Sequence, residues 1–172
     1  MMGLPFDNMR QRSFFIEALT REDAARLVPI HAGTFRQPWN EDEFHALLGE
    51  NNIFGFIARE EGNRSAQSGG FVLARLVLDE AEILTIAVAP QFQRTGVGHA
   101  LMDATLRHLH NARASMLFLE VDEQNTPALA LYRRLGFKQV GKRPGYYETP
   151  SGRSAALTMR RDLDHRKTGA DR

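Results

Sequence analysis

The sequence predicts an α/β fold: a mixed β-sheet of about seven strands flanked by about four helices. Three observations carry that expectation. Short apolar runs of strand length alternate along the chain with longer stretches whose apolar residues recur at helical spacing. The order is strand, two helices, three strands, helix, strand, helix, two strands, and a sheet with helices on both faces is the economical way to bury every apolar face in that order. The chain has 172 residues, of which 42% are hydrophobic and 25% charged, the balance of one globular domain with room for a sizeable core.

Each element has its own signal. "FFIEAL" (Phe14–Leu19) reads as the first strand. "TRED" follows, with Asp23 three residues after Thr20 in a capping-box pattern, and Ala24, Leu27, Val28 and His31 continue at helical spacing. "PWNEDEFHALLG" predicts the second helix: Asn40 caps it, acids fill its first turn and Gly49 stops it. "IFGFIAR" (Ile53–Arg59) reads as a strand, and "EEGNRSAQSGG" as a polar loop. "FVLARLVL" (Phe71–Leu78) and "EILTIAV" (Glu82–Val88) read as a hairpin turning at Asp79 and Glu80. Leu101, Met102, Thr105, Leu106 and Leu109 form the apolar stripe of a third helix. "MLFLEV" (Met116–Val121) is the next strand. In "NTPALALYRRLGF", Thr126 can cap a helix, Pro127 suits its first position and Gly136 ends it. "KQVGKRPGYY" and "AALTMRRDL" supply the last two strands. The expected organisation is a flexible extension over 1–12, one domain over 13–163 and a frayed charged tail over 164–172.

Composition narrows the function classes. The net charge of +1 gives no global electrostatic reason to expect nucleic acid. The chain has no cysteine, which excludes a disulfide framework, a thiolate zinc site and a cysteine nucleophile, and fits a cytoplasmic setting. No apolar run approaches the roughly 18 residues of a membrane span, and the opening "MMGLPFDNMRQRS" lacks a signal-peptide core. The histidines are scattered; His108 and His110, two apart on a helix, do not share a face, so no metal is expected. "RRDLDHRK" is a basic stretch interrupted by acids and reads as solvated tail.

The most informative stretch is Gln93-Arg94-Thr95-Gly96-Val97-Gly98, between a strand and a helix. It is no Walker A loop, since no Lys-Ser or Lys-Thr follows, and no dinucleotide fingerprint, since residue 101 is leucine. It is either a plain helix-entry turn or a pyrophosphate cradle. The N-terminus of a helix offers unpaired N–H groups and partial positive charge, and glycine lets a ligand approach the backbone.

The loop together with "LFLEV", "NTPALALY" and "LGF", in that order and spacing, resembles the GNAT superfamily of acyl-CoA-dependent N-acetyltransferases. Gln93, Gly96 and Gly98 fill that family's Gln/Arg-x-x-Gly-x-Gly/Ala pattern. "QPWNEDEF", "VLDEAEILTIAV", "FLEVDEQNTPALALYRRLGF" and "YYETPSGRSAALTM" look most like one branch, the ribosomal-protein alanine N-acetyltransferases (RimI type). The resemblance implies the GNAT fold, acetyl-CoA as donor and a protein N-terminus as acceptor, an alanine of a small-subunit ribosomal protein. It leaves two alternatives open: acetylation of a small-molecule amine such as a polyamine or aminoglycoside, and a non-catalytic acyl-CoA sensor. A sensor would need neither of the two catalytic residues that follow.

What the resemblance implies can be stated residue by residue. The pyrophosphate would lie on Arg94, Thr95, Gly96, Val97, Gly98 and His99, the last through its backbone. The pantetheine would pair with Ile86, Ala87 and Val88, and an N–H near Val88 would meet the thioester oxygen. Asn125 corresponds to a coenzyme contact, although it is equally a turn residue before a helix. Glu120 corresponds to the general base, acting through water; strand alternation puts it opposite Leu119 and Val121, where a carboxylate is costly to bury, and the plain alternative is a pair with an arginine. Tyr132 corresponds to the general acid for the departing thiolate, with a core aromatic as its alternative. Trp39, Tyr146 and Tyr147 either line the acceptor groove or fill core and rim. After "SGR" the branch often carries an acidic pair, where this chain has Ser154 and Ala155. Oligomeric state is left open.

Overall fold

A computed structural model of the chain describes residues 13–62 and 68–163. The extension expected over 1–12, the tail over 164–172 and the middle of the polar loop lie outside the described residues. The elements run β1 (Phe14–Ala18), α1 (Ala24–Ala32), α2 (Glu41–Leu47), β2 (Ile53–Glu60), β3 (Gly70–Val77), β4 (Glu80–Val88), α3 (Val97–Asn111), β5 (Met116–Asp122), α4 (Thr126–Arg134), β6 (Lys138–Thr149) and β7 (Gly152–Asp162). This is the predicted mixed α/β architecture in the predicted order. One seven-stranded sheet is ordered β1-β2-β3-β4-β5-β7-β6; β4 and β5 are parallel neighbours and the other pairs antiparallel.

Alternation along β3 sorts the core into two layers. Val72 and Ala74 join Leu101, Met102 and Leu109 of α3 and Leu129 and Tyr132 of α4 on one face. Phe71 and Leu73 join Ala24, Leu27 and Ile30 of α1 and Phe44 of α2 on the other. Phe44 is fully buried, so truncating it to alanine would cost about 3–5 kcal/mol.

Local caps follow the sequence signals closely. The Asp23 carboxylate accepts the Thr20 N–H at 3.0 Å and is bonded by Arg59 Nη2 at 2.8 Å, which ties the start of α1 to β2. Asn40 Oδ1 accepts the Glu43 N–H at 2.9 Å, while Glu43 Oε2 accepts the Asn40 N–H at 2.8 Å. Two details differ from expectation. The β3–β4 turn is Leu78–Asp79, and Glu80 already pairs with Val77; a two-residue loop needs a left-handed residue, and Leu78 takes it at φ 57°. The cap of α4 is Asn125, whose Oδ1 accepts the Ala128 N–H at 3.3 Å, so Thr126 is already helical.

Candidate active site

β4 and β5 run parallel but stay paired for only three residues, Glu80↔Met116, Ala81↔Leu117 and Glu82↔Phe118. β3, on the other side of β4, stays paired to the end, through Gly70↔Val88. The cause of the divergence is visible in the β3–β4 register: Ala74 pairs with Ile83 and Leu73 with Thr85, so Leu84 is an extra residue. Such a bulge bends its strand and strengthens its twist. The backbone edge of Ile86, Ala87 and Val88 therefore faces a gap that β5 does not fill.

The glycine loop sits at the end of this edge. After a 3-10 turn over Pro90–Phe92, Gln93 Nε2 donates to the Val88 carbonyl at 3.2 Å and Thr95 Oγ1 to the Phe92 carbonyl, which fastens the loop back onto β4. Arg94 at φ 61° and Gly96 at φ 87° are both left-handed. Glycine takes that conformation without penalty, and alternating right- and left-handed residues aim successive N–H groups at one point. Gly96 caps α3 with no side chain, and the first turn of α3 carries no acid. The N–H groups of Val97, Gly98 and His99 thus have no partner within the helix. A Cβ on Gly98 would lie 3.5 Å from Leu131 Cδ2 and 3.7 Å from Val88 Cγ2, so the start of α3, the end of β4 and the middle of α4 meet at this residue.

Next to Leu131 stands Tyr132, only 6% exposed. Its ring meets that of Phe137 edge-on at 5.8 Å. Burial first, and the nearby Tyr147 phenol second, push its pKa up to about 12. Glu120 projects to the opposite face of the sheet from Leu119 and Val121, as its strand position predicts, but it is not sealed among apolar groups. Its side chain is 26% exposed and its Oε1 lies 2.9 Å from Arg143 Nη2 of β6. The predicted burial thus gives way to the alternative geometry, a glutamate paired with an arginine. The pair lines a cleft of about 590 Å³ with Glu82, Phe118 and Thr158. Tyr147 lies in electrostatic reach of both candidates: burial first, then the Glu120 charge, raises its own pKa, and it in turn raises that of Tyr132.

The remaining candidates fall into place unevenly. Asn125 spends its side-chain oxygen on the α4 cap, and His99 is exposed with its backbone in the helix start. Trp39 stacks on His31 at 5.0 Å and meets Phe44 edge-on at 5.5 Å. Tyr146 is 53% exposed, with the Arg143 guanidinium 5.5 Å above its ring. His108 stacks on Phe54 at 4.2 Å. Sequence reasoning missed Arg143, which no local pattern joins to Glu120.

Comparison with known proteins bears on this arrangement. The family model described as the acetyltransferase (GNAT) family matches residues 24–137. The [ribosomal protein bS18]-alanine N-acetyltransferase of Escherichia coli K12 is 35% identical over 144 residues, 84% of this chain and 94% of the relative. The N-alpha-acetyltransferase RimI of Mycobacterium tuberculosis is 39% identical over 149 residues, 86% of this chain and 91% of the relative. Among solved structures, the ribosomal-protein-S18-alanine N-acetyltransferase from Escherichia coli superposes with a TM-score of 0.81 at 30% identity, covering 93% of this chain and 99% of that one. Arabidopsis thaliana NAA60 in complex with acetyl-CoA shares the fold with a TM-score of 0.77 at 20% identity, over 88% of this chain and 99% of that one.

Proposed function

The chain belongs to the acetyltransferase (GNAT) family and is an acetyl-CoA-dependent N-acetyltransferase, and we propose that its acceptor is the N-terminal α-amine of a protein, the alanine of the small-subunit ribosomal protein bS18, in the cytoplasm. The observation that supports this reading best is the gap between β4 and β5, with bare helix-start N–H groups and Tyr132 at one side and Glu120 in an open cleft at the other.

The residues present suit acetyl-CoA. The N–H groups from Gly96 to His99, with the Arg94 charge beside them, suit a pyrophosphate. The free edge of Ile86, Ala87 and Val88 can take up the pantetheine amides as a further strand, and an N–H near Val88 can meet the thioester oxygen. Bound there, the coenzyme supplies the thioester. The amine attacks it directly in a ternary complex, since the chain has no cysteine to carry the acyl group. Glu120, on the cleft face, takes the amine proton through a water. Tyr132 donates a hydrogen bond to the departing sulfur.

Magnitudes favour a chain end over a lysine. An α-amine of pKa about 8 is roughly one-tenth neutral at pH 7, against about 0.04% for a lysine of pKa about 10.4. The free-amine fractions differ by a few hundredfold, so a chain end asks far less of any base than a lysine does. The test is mass spectrometry of the purified protein with acetyl-CoA and two peptides, one beginning with alanine and one carrying a lysine behind a blocked N-terminus. Equal rates on the two would sink the assignment. Glu120→Gln should cut turnover most near pH 7 and progressively less above about pH 8, where the amine is already neutral; a constant deficit from pH 6.5 to 9 would give Glu120 a positioning role instead.

A further inference from the structure

The net charge of +1 conceals a separation of charge across the sheet. Residues 13–62, which run through β1, α1, α2 and β2, hold nine carboxylate side chains against four arginines. Residues 126–162, which run through α4, β6 and β7, hold eight arginines and lysines against two carboxylates. In the strand order β1-β2-β3-β4-β5-β7-β6, the acidic strands stand at one edge and the basic strands at the other. Such asymmetry between two parts of a chain points to a charged partner.

Three of the eight cations are spent on carboxylates: Lys142 on Glu123 at 2.9 Å, Arg143 on Glu120 at 2.9 Å and Arg153 on Glu148 at 3.3 Å. The other five gather where α4 ends and β6 begins. Arg133 and Arg134 lie in the last turn of α4. Lys138 opens β6 and pairs in register with Arg160 of β7. Arg161 Nε lies 3.9 Å from the place a Cβ on Gly136 would take, in the link between α4 and β6. Arg133, Arg134 and Lys138 are exposed. Of the five, only Arg160 has a carboxylate partner among the described residues, Asp162 at 3.0 Å. Lysine and proline on an outer strand discourage pairing with another sheet, which accounts for Lys138, Lys142 and Pro144. It does not account for Arg133 and Arg134 on a helix, or for Arg161 on the inner strand β7.

We infer that this edge is a docking surface for RNA, whose phosphates are held by Arg133, Arg134, Lys138 and Arg161. Three of these four are arginines, and a guanidinium fork matches two phosphate oxygens at once. A protein partner asks for an apolar centre. Among the described residues, Val140, 50% exposed, is the one large apolar side chain exposed beside them. The choice of RNA as the polyanion rests on the ribosomal-protein acceptor proposed above, since an acceptor of that class is met together with RNA. The patch is separate from the glycine loop. β6 runs in the same direction as β4 and β5, so Lys138 at its start lies at the end of the sheet away from the loop that follows Val88.

The experiment measures binding of a labelled single-stranded RNA by fluorescence anisotropy, with acetyl-CoA saturating so that the glycine loop is filled. Four phosphate contacts give a slope of log affinity against log salt of about −2.8, so binding should weaken about fiftyfold between about 50 and 200 mM salt. Arg134→Gln with Lys138→Gln removes two contacts; the slope should fall to about −1.4 and the weakening to about sevenfold. Arg36→Gln with Arg107→Gln removes the same charge from exposed sites elsewhere and should keep the wild-type slope. Both double variants should acetylate a free alanine peptide within about twofold of wild type, which shows the fold and the reaction site intact. No RNA binding at about 50 mM salt, or an unchanged slope in Arg134→Gln with Lys138→Gln, would overturn the inference. Displacement of the RNA by polyglutamate at equal charge would also overturn it, in favour of an acidic protein. So would salt-sensitive dimers in sedimentation that bind no RNA, in favour of the acidic edge of a second copy. A wild type that binds RNA with the expected slope but leaves the alanine peptide unmodified would overturn the acceptor reading and leave the RNA surface standing.

Discussion

Replacing Tyr132 by phenylalanine keeps the ring that packs against Phe137 and removes only the hydroxyl. The structure sets the size and kind of the effect. With the phenol pushed up to about 12 and a thiol near 8.5, full transfer of the proton to the departing thiolate is uphill by about 3.5 units, roughly 5 kcal/mol. A thiolate is already a good leaving group, so a transfer that steep has little to offer. The tyrosine is better placed to donate a hydrogen bond to the charge growing on sulfur in a water-poor pocket. Such a donor is worth about 1.4–2.7 kcal/mol, a loss of roughly 10- to 100-fold in kcat with little change in coenzyme binding. The pH dependence separates the two roles. A tyrosine titrating at about 12 stays protonated throughout the workable range, so wild-type kcat should show no alkaline fall between about pH 8.5 and 10.5. Stopped or continuous assays of thiol release across that range, on both proteins, are the measurement. Turnover within about threefold of wild type would make Tyr132 a packing residue. An alkaline fall near pH 9–10 that the phenylalanine variant lacks would refute the argument from burial and restore a true proton donor.

Gly98→Val would add methyls beyond a Cβ that already touches Leu131 and Val88, in the gap between α4 and β4; acetyl-CoA affinity should fall tenfold or more, about 1.4 kcal/mol, while circular dichroism stays native, and unchanged affinity by calorimetry would remove the pyrophosphate reading. Arg143→Gln removes a cation that competes with the acceptor ammonium for Glu120; because the pair is partly exposed and worth at most about 1 kcal/mol, KM for the alanine peptide should drop up to about fivefold at low salt and the difference should vanish at about 1 M salt. A rise in KM would mean that Arg143 assists the acceptor. His31 is buried, accepts the Trp39 N–H on Nδ1 at 3.1 Å, and is held below the ordinary histidine range by burial, with the Glu43 charge opposing in part. Its folded pKa lies below the unfolded value of 6.5, so the unfolded chain binds the extra proton first, and the stability His31 confers is complete above that pH and declines as pH falls below it. The melting temperature should therefore drop more steeply below pH 6.5 in wild type than in His31→Leu, and parallel curves would exclude the histidine as the cause.

How much of this was legible in the sequence depended on distance along the chain. The capping boxes that begin at Thr20 and Asn40 are signals spanning three residues, and both form. The order of strands and helices is set by periodicities of two and 3.6, and these too are local. At α4 Asn125 and Thr126 are neighbouring residues both able to cap, and Asn125 takes the role, its Oδ1 accepting the Ala128 N–H, with Pro127 tolerated in the first turn. The hairpin turn lies one residue earlier than the sequence suggests because Leu78 is a poor turn former; the β3–β4 register puts it in the turn, 93% exposed and left-handed.

What stayed illegible was long-range. Nothing in "EILTIAV" announces that Leu84 will be a bulge, since a bulge is a mismatch with β3 and exists only once the two strands are paired. The gap beside the end of β4 hangs on that mismatch. It turns β4 away from β5 after Glu82 and frees the edge of Ile86–Val88. The same holds for Glu120, whose ion-pair partner, Arg143, lies 23 positions away on β6. Residue identities could be carried over from a resemblance one at a time, but the distances among them belong to the sheet. For that reason the sharpest test falls on Arg143. A family pattern can propose Glu120 and Tyr132, whereas only the pairing of β5, β6 and β7 brings Arg143 to the Glu120 face, and a fold-preserving change there asks whether that face is where the acceptor binds.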